Sequence, residues 1–260
     1  MHQSGAYSAM DWSIVQVMAK DVNRTAFLKQ WSGHCTYTRM GIRYVVQVLT
    51  PRPTDATDLD FMIPTADVPM HVRTYQAEPE IFATELERAM QWSWLWQDRW
   101  SEVARRCPWS IVVEMTAVRP VHYAGMLLQF VGVLDHVLSL LDEHDREASL
   151  LHWIPAQQIL SMMQYRVLRE DLGLCGPAIN VRIANATGRP GELLADTVGL
   201  AELGLPDLQV FFSDQDPGEV AKKLRRLARS MFVGERLDVD WHEEPSIVPP
   251  ERDTLTLDFD

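Results

Sequence analysis

The most apolar long stretch of the chain, residues 121–141, limits every fold open to it, because a helix this apolar needs other elements on most of its sides. Ala124, Leu127, Leu128, Val131, Leu134, Leu138 and Leu141 recur at spacings that cover a broad face. His122, Gln129, Asp135 and His136 interrupt the run. That much polarity within about 20 residues argues for a helix buried in protein rather than one that spans a bilayer.

The surrounding pattern says what covers it. Strands are expected over 12–20, 42–49, 58–63, 111–118, 150–154, 178–184, 208–212 and 237–241. The spacing of Phe82, Leu86, Ala89, Trp96, Trp100 and Val103 predicts one long helix over 79–106, with Pro79 in its first turn and Pro108 past its end. Pro155 is expected to open a further helix to about residue 170, ended by Gly173 and Gly176. Asp216, Pro217 and Glu219 form a capped helix start, and Val220, Leu224, Leu227 and Met231 form its buried stripe. Strands cluster at both ends of the chain and alternate with helices only in the middle. This predicts an α+β fold: a mixed, mostly antiparallel sheet with packed helices. Residues 1–244 are expected to form a single domain, divisible into packed halves at 1–75 and 76–244. An acidic tail containing prolines follows at 245–260, loosely held, whose end at 254–260 alternates and can add an edge strand.

Charge narrows the partners. The chain of 260 residues carries a net charge of −12, and residues 235–260 alone hold nine Asp or Glu against two Arg. Such a surface repels nucleic-acid backbones and anionic membranes and favours a basic protein. Cys35, Cys107 and Cys175 are odd in number and widely spaced, which argues against a disulfide framework or a zinc site and for a reducing cytoplasm. No signal peptide is visible at the N-terminus.

No glycine-rich phosphate loop, GxSxG or HExxH motif occurs. Three polar clusters remain. Asp142, Glu143, His144 and Asp145, with Asp135 and His136 upstream, could ligate a metal, but the spacing is that of a solvated helix end. Asp238, Asp240 and His242 alternate along one strand and, with Glu243, read either as an acid/base group or as an exposed sheet face beside an acidic tail. Lys222, Lys223, Arg225, Arg226 and Arg229 fall off the buried stripe of their helix and read as its solvated face. Trp92, Trp96 and Trp100 share one helical face and suit the core, whereas Trp94 points away and suits a partner. No cofactor or metal follows from these residues. The contact residues expected for a protein partner are Trp94, Glu235, Asp238, Asp240, His242, Glu243 and Glu244.

One string is distinctive: Asp196-Thr197-Val198-Gly199-Leu200, then Glu202-Leu203-Gly204-Leu205-Pro206-Asp207-Leu208-Gln209. With Asn180-Val181-Arg182, His152-Trp153-Ile154-Pro155 and the 90–96 region, it resembles bacterial domain-of-unknown-function family 4261 over about residues 80–242. Physically the string reads as a turn and core plug, with Asp196 bonding loop amides. The resemblance implies no reaction. By analogy with acidic bacterial proteins that lack enzyme motifs, it implies an immunity protein that occludes a toxin encoded nearby, of type VI secretion or a similar system. The alternatives are an enzyme using His242, Asp240 or the 142–145 cluster, and a secretion chaperone or adaptor.

Overall fold

A computed structural model describes residues 42–53, 59–63, 70–92, 100–117, 123–186, 188–235, 241–243 and 254–257. The fold is α+β, with antiparallel sheets and packed helices. Its strands divide between two sheets rather than joining one.

The first sheet has the order β2-β3-β4-β1-β5-β6, formed by Leu59–Ile63, Met70–Ala77, Trp109–Ala117, Ile42–Thr50, Leu150–Trp153 and Gln158–Ser161. Every neighbouring pair in it is antiparallel. β1 is central, and Tyr44 through Thr50 are buried without alternation because both faces are covered. One face meets α3 (Tyr123–Ser139), the apolar helix. There Phe130 sits between Tyr44, at 5.4 Å and tilted, and Trp153, at 5.6 Å and edge-on. The other face buries Leu49, Leu150 and Ile159 against α1 (Ala83–Trp92) and α2 (Trp100–Arg106).

The second sheet has the order β10-β11-β9-β8-β7: Trp241–Glu243, Thr254–Leu257, Asp207–Phe212, Leu193–Val198 and Asn180–Asn185. α6 (Pro217–Val233) packs on it through Val220, Leu224, Ala228 and Met231. A single buried cluster includes residues of both sheets, and the Tyr44 hydroxyl on β1 donates to the Glu202 carbonyl in the other half.

Several expectations need correction. Pro155 opens no helix: residues 154–157 turn, β6 follows, and α5 runs Met162–Leu172. The helix waits for Ser161 because only there does a reciprocal cap form, Ser161 accepting from the Gln164 amide while the Gln164 side chain accepts from Ser161. Within 79–106 the described parts are a 3-10 turn at Pro79–Phe82, α1 and α2. β3 fills a stretch that carried no expected element, and α4 (Glu143–Ala148) stands where a helix end was expected. β11 is an interior strand, parallel to β9, and not an edge. Of the strand expected over 237–241, residues 237–240 lie outside the described residues and Trp241 opens β10, and the strand expected over 12–20 also lies outside them.

The 196–209 string is a turn and plug. The Thr197 hydroxyl accepts from the Leu208 amide at 2.7 Å, and the Asp207 carboxylate accepts from the Leu200 amide at 3.1 Å. Asp207 therefore does what was expected of Asp196, which instead pairs with Arg182. Leu200, Leu203 and Leu205 are buried in the core. Gly199 has φ +116, and a Cβ there meets the Ala178 carbonyl. Gly204 has φ +70, and a Cβ there comes within 2.5 Å of the Tyr123 ring. Gly199→Ala combines left-handed strain with a backbone clash and is expected to remove about 2–4 kcal/mol of stability. Gly188→Ala, at φ +79 with no atom within 4 Å, is the control and is expected to cost about 1 kcal/mol, read from urea midpoints.

Candidate functional site

β1, β3 and β4 end together, and their ends form an open groove of about 260 Å³ lined by Thr50, Pro53, Gln76, Glu78, Trp109 and Ile111. Strand register places these residues: Trp109 stands opposite Thr50 on β1, and Ile111 stands opposite Gln76 on β3. Ile111 is buried, but Trp109 lies one turn of the pleat beyond it, past the end of the core, and keeps 46% of its surface exposed. Glu78 lines the groove with it, Glu78 and Glu80 at the start of the 3-10 turn are both exposed, and Ile81 is 52% exposed. Arg52 also lies close, but its guanidinium faces the Asp145 carboxylate at 3.6 Å. The rim is therefore negative.

A buried polar chain holds the floor. The Gln47 amide nitrogen donates to the Pro79 carbonyl at 3.0 Å and to Ser110 Oγ at 3.2 Å, and Ser110 Oγ donates to the Ala77 carbonyl. Gln47 Oε1 is then left to accept, so His152, 3.3 Å away, carries its proton on Nδ1. Gln47 and His152 are fully buried. Burial pushes the imidazole down from 6.5 to about 3. Pro79 and Ala77 bracket Glu78, so this network fixes the backbone that carries the acidic rim.

A second polar cluster lies farther along the same sheet. Glu114 on β4 is buried and accepts from Arg43 Nε at 2.6 Å and from Arg73 Nη2 at 2.7 Å. Burial by itself raises its carboxyl, but the two guanidiniums outweigh burial and hold it below the usual carboxylate range. Arg73 also stacks on Tyr75 at 5.3 Å. Both arginines engage Glu114, which makes this cluster a sheet-binding device.

The expected contact residues are described only in part. Trp94, Asp238, Asp240 and Glu244 lie outside the described residues. His242 and Glu243 pair with Thr256 and Leu255 in the second sheet. Glu235 is exposed after α6, where a hydrogen bond from Ser230 at 2.7 Å and the neighbouring Arg229 lower its carboxyl. The 142–145 cluster is dispersed: Asp142, Glu143 and His144 are exposed, Asp145 is buried beside Arg52, and Asp135 accepts from the Tyr165 hydroxyl at 2.7 Å. Among the described residues no group of His, Cys, Asp and Glu is placed to hold a metal ion. Cys107 and Cys175 are buried thiols, pushed up by burial to about 11 and about 12. Trp92 was expected in the core, yet it is 39% exposed with the Arg182 guanidinium 5.8 Å from its ring.

The basic helix face also needs correction. Arg225 is 7% exposed, between Ala221 and Ala228 on the packed side of α6, and its Nε and Nη2 make no hydrogen bond. Burial lowers its pKa to about 10. Sequence reasoning gave Trp109 no contact role. The usable signal was Pro108, which stops the helix and makes Trp109 the first residue of a strand.

No family model matches the chain, and no curated protein or solved structure does so either. Among the described residues no helix is long and apolar enough to cross a membrane.

Two stability predictions follow from the buried cations and imidazole. The folded imidazole of His152 titrates below its unfolded value, so its contribution is intact above about pH 6.5 and is lost as pH falls toward about 3. Across that window the wild type is expected to lose about 1.4 kcal/mol per pH unit more than His152→Gln, in urea unfolding at stepped pH. Arg225→Met removes an unpaired buried cation and is expected to leave stability unchanged or raise it by about 1 kcal/mol, read from the same urea curves.

Proposed function

We propose that this chain is a binding protein that neutralises a basic protein partner by covering its working surface, as an immunity protein does for a toxin. The observation that carries this reading is the exposed Trp109 at a groove that Glu78 also lines, with the exposed Glu80 two residues on, in a chain of net charge −12. Aromatic side chains at partly covered pockets are the usual anchors of protein interfaces. An acidic field draws a basic partner in and rejects acidic ones, raising the association rate more than it slows dissociation. A nuclease-like toxin, basic where it grips phosphate, has the complementary charge. This reading sets the chain in a bacterium, with the partner encoded in a neighbouring gene and met in the cytoplasm.

Co-expression with the product of the adjacent gene is the test. A stable complex and survival of cells that otherwise die from that product are expected. Association measured by stopped flow is expected to slow by about tenfold or more between low and physiological salt. A complex that forms while the partner stays fully active would point instead to a chaperone or adaptor, and no complex at all removes the reading.

A further inference from the structure

We infer that the groove at the ends of β1, β3 and β4 is a receptor for one arginine side chain of the partner. The inference rests on the reading that the partner is basic, and it names the contact. Its volume of about 260 Å³ lies below the roughly 300–1,000 Å³ of small-molecule sites, which suits a single side chain. Three features select the chemistry of that side chain. Trp109 offers a half-exposed indole, and indole is the best aromatic face for a cation. Glu78 is the one lining residue that ionises, and Glu80 adds a second negative charge two residues on. Arg52, the residue before Pro53, faces the Asp145 carboxylate at 3.6 Å. A planar guanidinium can stack on the indole and direct its edge donors at a carboxylate, whereas an ammonium acts as a compact, strongly hydrated point charge. Pro53 and Ile111 supply apolar wall for the methylene stem.

The backbone that carries the groove is fixed without a ligand: Glu78 lies between Ala77 and Pro79, whose carbonyls are tied to Ser110 and Gln47, and Trp109 is paired in register with Thr50. Binding therefore has to order side chains and not the backbone beneath them.

The test uses the full chain and acetylated, amidated tetrapeptides of arginine, lysine and glutamate, with affinities read by isothermal titration calorimetry for every variant and the contact read on the wild-type Trp109 indole resonance in nuclear magnetic resonance titrations. Trp109→Phe assigns that resonance and retains an aromatic face. The arginine peptide is expected to shift it, with affinity falling about fivefold or more in Glu78→Gln and Trp109→Ala, remaining within about twofold in Trp109→Phe, and weakening with salt. The lysine peptide is expected to bind more weakly and the glutamate peptide not at all. Arginine-peptide binding that ignores both Glu78→Gln and Trp109→Ala overturns the inference. So does equal binding of the glutamate peptide, or a dimer in sedimentation that Trp109→Ala dissociates, since a second copy would then fill the groove. Arginine binding in a chain that neutralises no partner leaves this inference standing and removes the toxin reading. Neutralisation unaffected by Trp109→Ala and Glu78→Gln does the reverse.

Discussion

The buried amide of Gln47 is the constraint on which the first sheet and its groove depend. An amide taken from water without partners costs several kcal/mol, so a glutamine at the centre of a strand covered on both faces forces its surroundings to supply partners. They come from three directions: the Pro79 carbonyl where the helical layer begins, Ser110 on β4 and His152 on β5. One side chain thus sets the position of the helical entry relative to the strands on both sides of β1. The same bonds shape the groove, because Ser110 in turn holds Ala77, and Glu78 is the residue between the two fixed points. An apolar residue at 47 would fill the space, but it would leave the path from β3 into the 3-10 turn undetermined.

The second sheet has its own version of this arrangement. Thr197 and Asp207 receive the Leu208 and Leu200 amides, so the turn between β8 and β9 is closed by side chains and not by a hairpin ladder. Gly199 and Gly204 allow backbone angles that let Leu200, Leu203 and Leu205 fold beneath the turn into the core. Tyr44 then reaches from β1 to the Glu202 carbonyl of that turn. Polar groups therefore fix the register within each sheet, while the shared apolar cluster between them supplies most of the burial.

What could be read from sequence was whatever its own neighbours determine. Asp216 caps α6 through the Glu219 amide, as the local residues imply, and β4 and β7 appear where β-branched runs predict them. What could not be read was decided by partners distant in the chain. The division into two sheets depends on which strand edges meet, and no local period encodes that choice. β11 is interior because β9 offers it a parallel edge some fifty residues away by sequence, a pairing invisible in Thr254–Leu257 itself. β6 was mistaken for helix because Pro155 is a good helix opener, yet in the structure it belongs to the turn between two strands. Arg225 was assigned to solvent because it falls off the stripe of Val220, Leu224, Leu227 and Met231. The small residues Ala221 and Ala228 on either side make room for it on the packed face, a spacing that the apolar stripe conceals.

The groove escaped sequence reasoning for a related physical reason. Its lining comes from three strands that are far apart in the chain, and each residue is ordinary by itself. Trp109 becomes an anchor only because β4 begins one residue before the core does, so that its indole stands where α3 and the sheet no longer cover it. Glu78 becomes a rim only because Gln47 fixes Pro79. A tryptophan within the core contributes burial, and an acidic residue on a mobile loop contributes little directed field. Carried side by side on backbone that the sheet and the Gln47 network already hold, they need no backbone rearrangement to meet a partner, and a carboxylate beside an indole is complementary to a basic group.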